Sequence, residues 1–181
     1  MKIKIAISGK FCSGKTTLSN QIISLITSKY RNIAIKKVSF ASEVKRIAEQ
    51  TFLMKEKNRN LLQSIGRKMR EIDEDVFCKY IVNDIDMDIN SNQLIILDDL
   101  RYKNEMEYLK NNGFIIIRLN ITRDEQYRRI KQLYPNENYT IENFNHGSEV
   151  GLDDFGPENF DLYLNGDIDN SQTIKTYVDN I

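Results

Sequence analysis

Lys2 to Ser8 (KIKIAIS) alternates polar and apolar positions and then turns apolar, the pattern of a strand running into a buried sheet. A helical spacing follows from about Lys15 to Lys29, with Leu18, Ile22, Leu25 and Ile26 on one face. Ile33 to Phe40 reads as a second strand. Three helical stripes come next: Val44, Ile47, Ala48 and Phe52; then Leu61, Leu62, Ile65, Met69 and Ile72; then Val76, Phe77, Tyr80, Ile81 and Ile85. Leu94 to Leu97 is a short apolar strand ending in Asp98-Asp99. A helix near Lys103 to Lys110 stops at Asn111-Asn112-Gly113, Phe114 to Asn120 is a fourth strand, and Thr122 to Gln132 another helix. Residues 133–159 lose the period; they hold both prolines and several Asn and Gly, and are too long for a plain connection. Phe160 to Leu164 forms a fifth strand, and Asn165-Gly166 turns the chain into a last helix through Tyr177. Apolar strands separated by helices imply βαβ units, right-handed crossovers and a parallel sheet in one α/β domain spanning residues 1–181.

Composition narrows the class. The 181 residues suit a single self-sufficient core, and no apolar stretch approaches the ~20 residues of a membrane helix, so no membrane partner is expected. Cys12 and Cys78 match neither a disulfide framework nor a zinc spacing, which points to a reducing, cytoplasmic compartment. Net charge is zero but unevenly placed. Lys29 to Arg70 holds twelve Lys/Arg against three acids, so part of that stretch is a candidate lining for an anionic substrate. With a neutral chain and no recognition motif, a nucleic-acid partner is not expected.

The chemistry is carried by Gly9-Lys10-Phe11-Cys12-Ser13-Gly14-Lys15-Thr16, which is G-x-x-x-x-G-K-T between the first strand and the first helix. Glycines let backbone N–H groups close around phosphate oxygens, and the helix N-terminus adds partial positive charge. Gly9, Lys10, Cys12, Ser13, Gly14, Lys15, Thr16 and Thr17 are therefore the expected ATP-binding residues. Lys15 would bridge the β- and γ-phosphates, and the Thr16 hydroxyl would ligate Mg²⁺. Asp98 and Asp99, at the carboxyl edge of the sheet, are candidates to orient Mg²⁺. Arg101 can hold a phosphate bidentately. Arg123, Arg128 and Arg129 precede the irregular segment, where one could reach the transferring group. Asp154-Phe155-Gly156 spells DFG without the H-R-D loop it would need. Asp153 to Gly156 spells a GTPase-like D-x-x-G in the wrong place, and His146 reads as a surface histidine.

In order along the chain, these residues resemble the viral and phage-type deoxynucleoside monophosphate kinases, with phosphomevalonate kinase a close cousin. The resemblance rests on the Gly9 to Thr16 motif, Ser39-Phe40-Ala41-Ser42-Glu43-Val44-Lys45, Leu61-Leu62-Gln63-Ser64-Ile65-Gly66 with Arg70 and Asp73, and Asp99-Leu100-Arg101-Tyr102-Lys103-Asn104-Glu105. His146-Gly147-Ser148-Glu149 and Phe160 to Gly166 complete it. It implies a three-layer P-loop nucleotide-kinase sandwich with a five-stranded parallel sheet in the order 2-3-1-4-5. It further implies an acceptor-binding insert at about 41–90 and a lid at about 123–157. Lys45, Gln63, Arg70, Arg101 and Glu105 would contact the acceptor monophosphate. Lys15, Asp99, Arg101 and Arg128 or Arg129 would serve the transfer, with Thr16, Asp98 and Asp99 at the metal. Where the family often has an acid after Phe-Ala, this chain has Ser42, with Glu43 beside it.

A monophosphate oxygen is already anionic at pH 7, so transfer to it needs positioning and charge neutralisation more than a strong base. The chain offers many arginines and lysines but no His/Asp pair after its second strand. The expectation is Mg²⁺-dependent transfer from ATP to a (deoxy)nucleoside monophosphate by a monomer or homodimer. Phosphomevalonate kinase and a P-loop NTPase switch are the alternatives.

Overall fold

The computed structural model describes residues 1–136 and 139–181. Five strands, β1 (Lys2–Gly9), β2 (Ala34–Val38), β3 (Gln93–Leu100), β4 (Ile115–Asn120) and β5 (Leu162–Asn165), pair in the order β2-β3-β1-β4-β5, every pairing parallel. Both faces are covered because successive side chains point to opposite sides. Ile3, Ile5 and Ile7 of β1, Leu94 and Ile96 of β3, and Ile117 and Leu119 of β4 face α1 (Lys15–Lys29) and α9 (Ser171–Asp179). Ala6, Ile95, Leu97 and Ile116 face the other way. There they join α2 (Phe40–Gln50), α3 (Arg59–Ile72), α4 (Val76–Met87) and α5 (Lys103–Asn111). Ile5, Ile7, Ile95 and Leu97 are fully buried, each such side chain contributing about 1.5–3 kcal/mol of transfer free energy.

The second strand ends at Val38 and Phe40 already opens α2, because Ser39 caps that helix through Oγ to the N–H of Ser42 at 3.3 Å. The third strand runs through Asp98 and Asp99 instead of stopping before them, and its register against β1 shifts there, between Leu97 and Leu100. Three members of the expected helical stripes fall outside the core: Phe52 lies past the end of α2, and Ile72 and Tyr80 are exposed on α3 and α4. The segment expected to be irregular is ordered in pieces. After α6 (Arg123–Leu133) come α7 (Ile141–Phe144), α8 (Gly147–Val150) and a 3-10 turn at Pro157–Asn159. Two of its residues, 137 and 138, lie outside the described ones.

Candidate active site

The site is built where β1 ends. Gly14, at φ 100°, is the N-cap of α1 and has no side chain to cap it, so the first turn's N–H groups are left for a ligand. Gly9 packs so closely that a Cβ there would lie 2.6 Å from Ser13 Oγ and 2.7 Å from Leu119 O. That Ser13 hydroxyl is buried and has no hydrogen-bond partner among the described residues. An orphaned buried donor inside a loop of N–H groups fits an anion seated in the loop.

Lys15 Nζ is folded onto the loop itself, donating to Gly9 O and Lys10 O at 2.7 Å each. Burial, and then the neighbouring Arg101, push its pKa down from 10.5 to about 7, against the opposing pull of Glu149 and Asp98. An anion bound beside it reverses that balance. Near pH 8, binding of a polyphosphate should take up about one proton in wild type and none in Lys15→Ala. Calorimetry in buffers of different ionisation enthalpy reads this directly, and equal uptake in both proteins would dismiss Lys15 as the titrating group. Thr16 and Thr17 are exposed on the first turn of α1.

The two aspartates separate. Asp98 lies within electrostatic reach of Lys15. Asp99 accepts from Ser39 Oγ at 2.8 Å, Phe40 N at 3.1 Å and Ala41 N at 2.9 Å. Both of its oxygens are thus occupied at the α2 N-terminus, and burial raises its pKa. Asp99 thereby docks α2 on the sheet.

The arginines divide as sharply. Arg129 clasps the loop, donating to Ser13 O at 3.2 Å and to Gly166 O at 2.7 Å, and is steadied by Glu125 at 2.7 Å. Arg128 is exposed and pairs bidentately with Glu125 at 2.6 Å, so only one of the two expected lid arginines reaches the loop. Arg101 donates from Nη1 to Glu149 at 2.8 Å and to Ser148 O at 3.1 Å. Arg70 pairs with Glu105 at 2.8 Å and lies over the rings of Phe77 and Tyr102. Glu105, almost fully buried, also accepts from the N–H groups of Arg101 and Tyr102. It ties Arg70 to the start of α5, with both oxygens engaged within the protein. Lys45 is exposed and pairs with Glu49 of its own helix, and Gln63 is exposed on α3. Neither has a hydrogen bond or ion pair to the loop among the described residues.

Several residues at the site were missed. Arg118, buried in β4, binds Ser8 Oγ at 2.8 Å and Asp153 at 2.7 Å, and Asp153 also pairs with Lys10 at 2.7 Å. In the sequence, Arg118 stands out as a charge inside an apolar strand, whereas Asp153 is visible only as the start of a misplaced D-x-x-G. Gln126 donates to Phe11 O at 3.0 Å. A cleft of about 220 Å³ opens beside the loop, lined by Thr17, Gln21, Leu119, Arg129, Gly166 and Asn170, among others.

The same architecture recurs in solved structures. Shikimate kinase from Acinetobacter baumannii in complex with shikimate superposes with a TM-score of 0.55 at 15% identity, covering 98% of this chain and 91% of that one. APE1195 gives 0.56 at 18% identity, covering 99% and 96%. An unliganded sugar kinase from Janibacter sp. gives 0.54 at 11%, covering 98% and 92%. Identities this low establish the P-loop kinase fold and nothing finer. No curated protein matches the sequence. The family model of an AAA domain matches residues 5–146, most of the chain including the phosphate loop, and the protein belongs to that family.

Proposed function

We propose that this protein is a kinase transferring the γ-phosphoryl group of ATP to the phosphate of a (deoxy)nucleoside 5'-monophosphate. One observation carries the reading. Lys15, Lys10, Arg101, Arg118 and Arg129 converge on or beside one loop, while Asp99, on the third strand, has both oxygens engaged at the start of α2. Such a site neutralises charge and positions phosphates, which suffices for an acceptor that is already anionic.

In this reading the loop N–H groups and Lys15 hold the β- and γ-phosphates, and Arg129 closes over the loop beside the cleft that takes the base. Arg101 receives the acceptor phosphate, with Arg70 held behind it by Glu105. The donor set also fits Mg²⁺. Among the described residues no group of three or more His, Cys, Asp or Glu could hold a metal alone, which suits a cation bound chiefly through substrate phosphates, with Thr16 and Asp98 completing its shell. Mg²⁺ would supply electrostatic neutralisation of the phosphate oxygens. Residues of the stretch 123–157 serve as the lid: Phe11 of the loop stacks on Tyr139 at 5.5 Å and meets Tyr134 at 5.4 Å. Closing this aromatic contact excludes water, the competing acceptor.

A coupled ADP-release assay over the common NMPs and dNMPs, with mevalonate 5-phosphate and hydroxyl acceptors included, tests the proposal. We expect turnover with at least one nucleoside monophosphate. Arg101→Ala should raise the KM for that acceptor about tenfold to a hundredfold, with a much smaller change for ATP. A silent nucleotide panel alongside turnover of mevalonate 5-phosphate or a hydroxyl acceptor would reassign the acceptor. Hydrolysis that responds only to a protein partner would make the protein a switch.

A further inference from the structure

Glu149 is a carboxylate only 7% exposed, contributed by α8. Burying a charge is costly unless every oxygen is matched, and here each oxygen has its own task. Oε2 accepts the N–H of Phe11, in the phosphate loop, at 2.7 Å and an N–H of Gln126 at 3.3 Å. Oε1 accepts Nη1 of Arg101 at 2.8 Å. Gln126 in turn donates to Phe11 O, so the Phe11 residue is gripped at both its N–H and its C=O. Arg101 Nη1 is fixed a second time by Ser148 O. Its Nε and Nη2 have no acceptor among the described residues. One edge of the guanidinium is thus tied down and the other is presented.

We propose that Glu149 is a positioning residue for phosphoryl transfer: one carboxylate sets the phosphate loop through Phe11 and the acceptor-side arginine through Arg101, holding the two in register. It acts through Arg101 and touches neither substrate. Glu149 does not compete with a phosphate for Arg101, because it occupies the Nη1 edge and leaves the Nε/Nη2 edge for bidentate binding. The role rests on the kinase reading above. The physical gain is preorganisation, since a misplacement of about 1 Å at a reacting group can cost a hundredfold in rate. Asp153, four residues on, bridges Lys10 of the loop and Arg118 of the sheet in the same manner, so this short segment straps the loop to the sheet edge twice.

The decisive variant is Glu149→Gln. An amide oxygen turned toward Phe11 N–H keeps that bond but leaves an NH₂ facing the Arg101 N–H, so the arginine loses its anchor while the loop keeps its own. We expect kcat/KM for the acceptor to fall about tenfold to a hundredfold, with the KM for ATP within about threefold of wild type. In an Arg101→Ala background the same substitution should cost less than about twofold, the non-additivity of two groups acting as a unit. Equal losses in both backgrounds, or no loss in either, overturn the proposal. Glu149→Asp, which keeps the charge but retracts it, should show the same dependence on Arg101 if the Gln variant folds poorly. A readout independent of any acceptor is the NMR signal of the Arg101 guanidinium. Restricted rotation should give separate Nη resonances in wild type that merge in Glu149→Gln. Unchanged resonances would sink the inference even if a monophosphate proved to be the substrate. A silent acceptor panel with merging resonances would remove the kinase reading and leave Glu149 as the anchor of Arg101.

Discussion

Lys15→Ala is expected to abolish phosphoryl transfer while leaving the protein at least as stable as wild type. The ammonium is called on where negative charge develops between the β- and γ-phosphates. Loss of one preorganised contact of that kind costs about 3–4 kcal/mol in the transition state, a rate loss of several hundredfold or more. Stability should not suffer, because the ammonium is destabilised in the folded state: its pKa is lowered to about 7, chiefly by burial. The sign follows from linkage. Between pH 7 and 10.5 the unfolded chain holds a proton on Lys15 that the folded chain has released, so wild-type stability rises with pH across that window. Lys15→Met should therefore exceed wild type in stability by most below pH 7, with the gap narrowing toward pH 10.5. Denaturant unfolding at several pH values measures this; a gap that widened with pH would contradict the burial of a charged Lys15. Turnover within about tenfold of wild type would remove the phosphate-loop assignment itself.

Glu105→Ala should produce the largest loss of stability among site residues. The carboxylate is 1% exposed and satisfies Arg70 Nη2, Arg101 N and Tyr102 N together. Removing it strands a partly buried guanidinium whose Nε has no hydrogen-bond partner among the described residues, and uncaps the start of α5. Breaking a buried pair from one side costs about 3–5 kcal/mol. For a chain of this length that lowers Tm by on the order of 10 °C. Replacing both partners with apolar residues, as in Arg70→Met with Glu105→Leu, should recover much of the loss, because no charge is then left unpaired. Thermal melts of the single and double variants decide it: a single variant within about 1 kcal/mol of wild type would mean that Glu105 is not the organising group.

The sheet, the helices that cover it and the phosphate loop could be read from the sequence because each depends on neighbours along the chain. Alternation of Ile3, Ile5 and Ile7 marks a strand, and Gly9 and Gly14, five positions apart and followed by Lys15 and Thr16, mark the loop. What the sequence could not distribute was the chemistry among adjacent like residues. Asp98 and Asp99 differ by one position, yet Asp98 is within electrostatic reach of Lys15 while Asp99 is bound at the N-terminus of α2. Arg128 and Arg129 differ by a hundred degrees around a helix, which sends one to solvent and the other to the loop. Glu149 was visible only as part of a weak motif, because its partner Phe11 lies 138 residues away. Local propensity and periodicity carry no information over that distance. The contact exists only because parallel strand order brings the ends of β1, β3 and β4 to one edge, where the segment after α6 crosses them and lends its carboxylates.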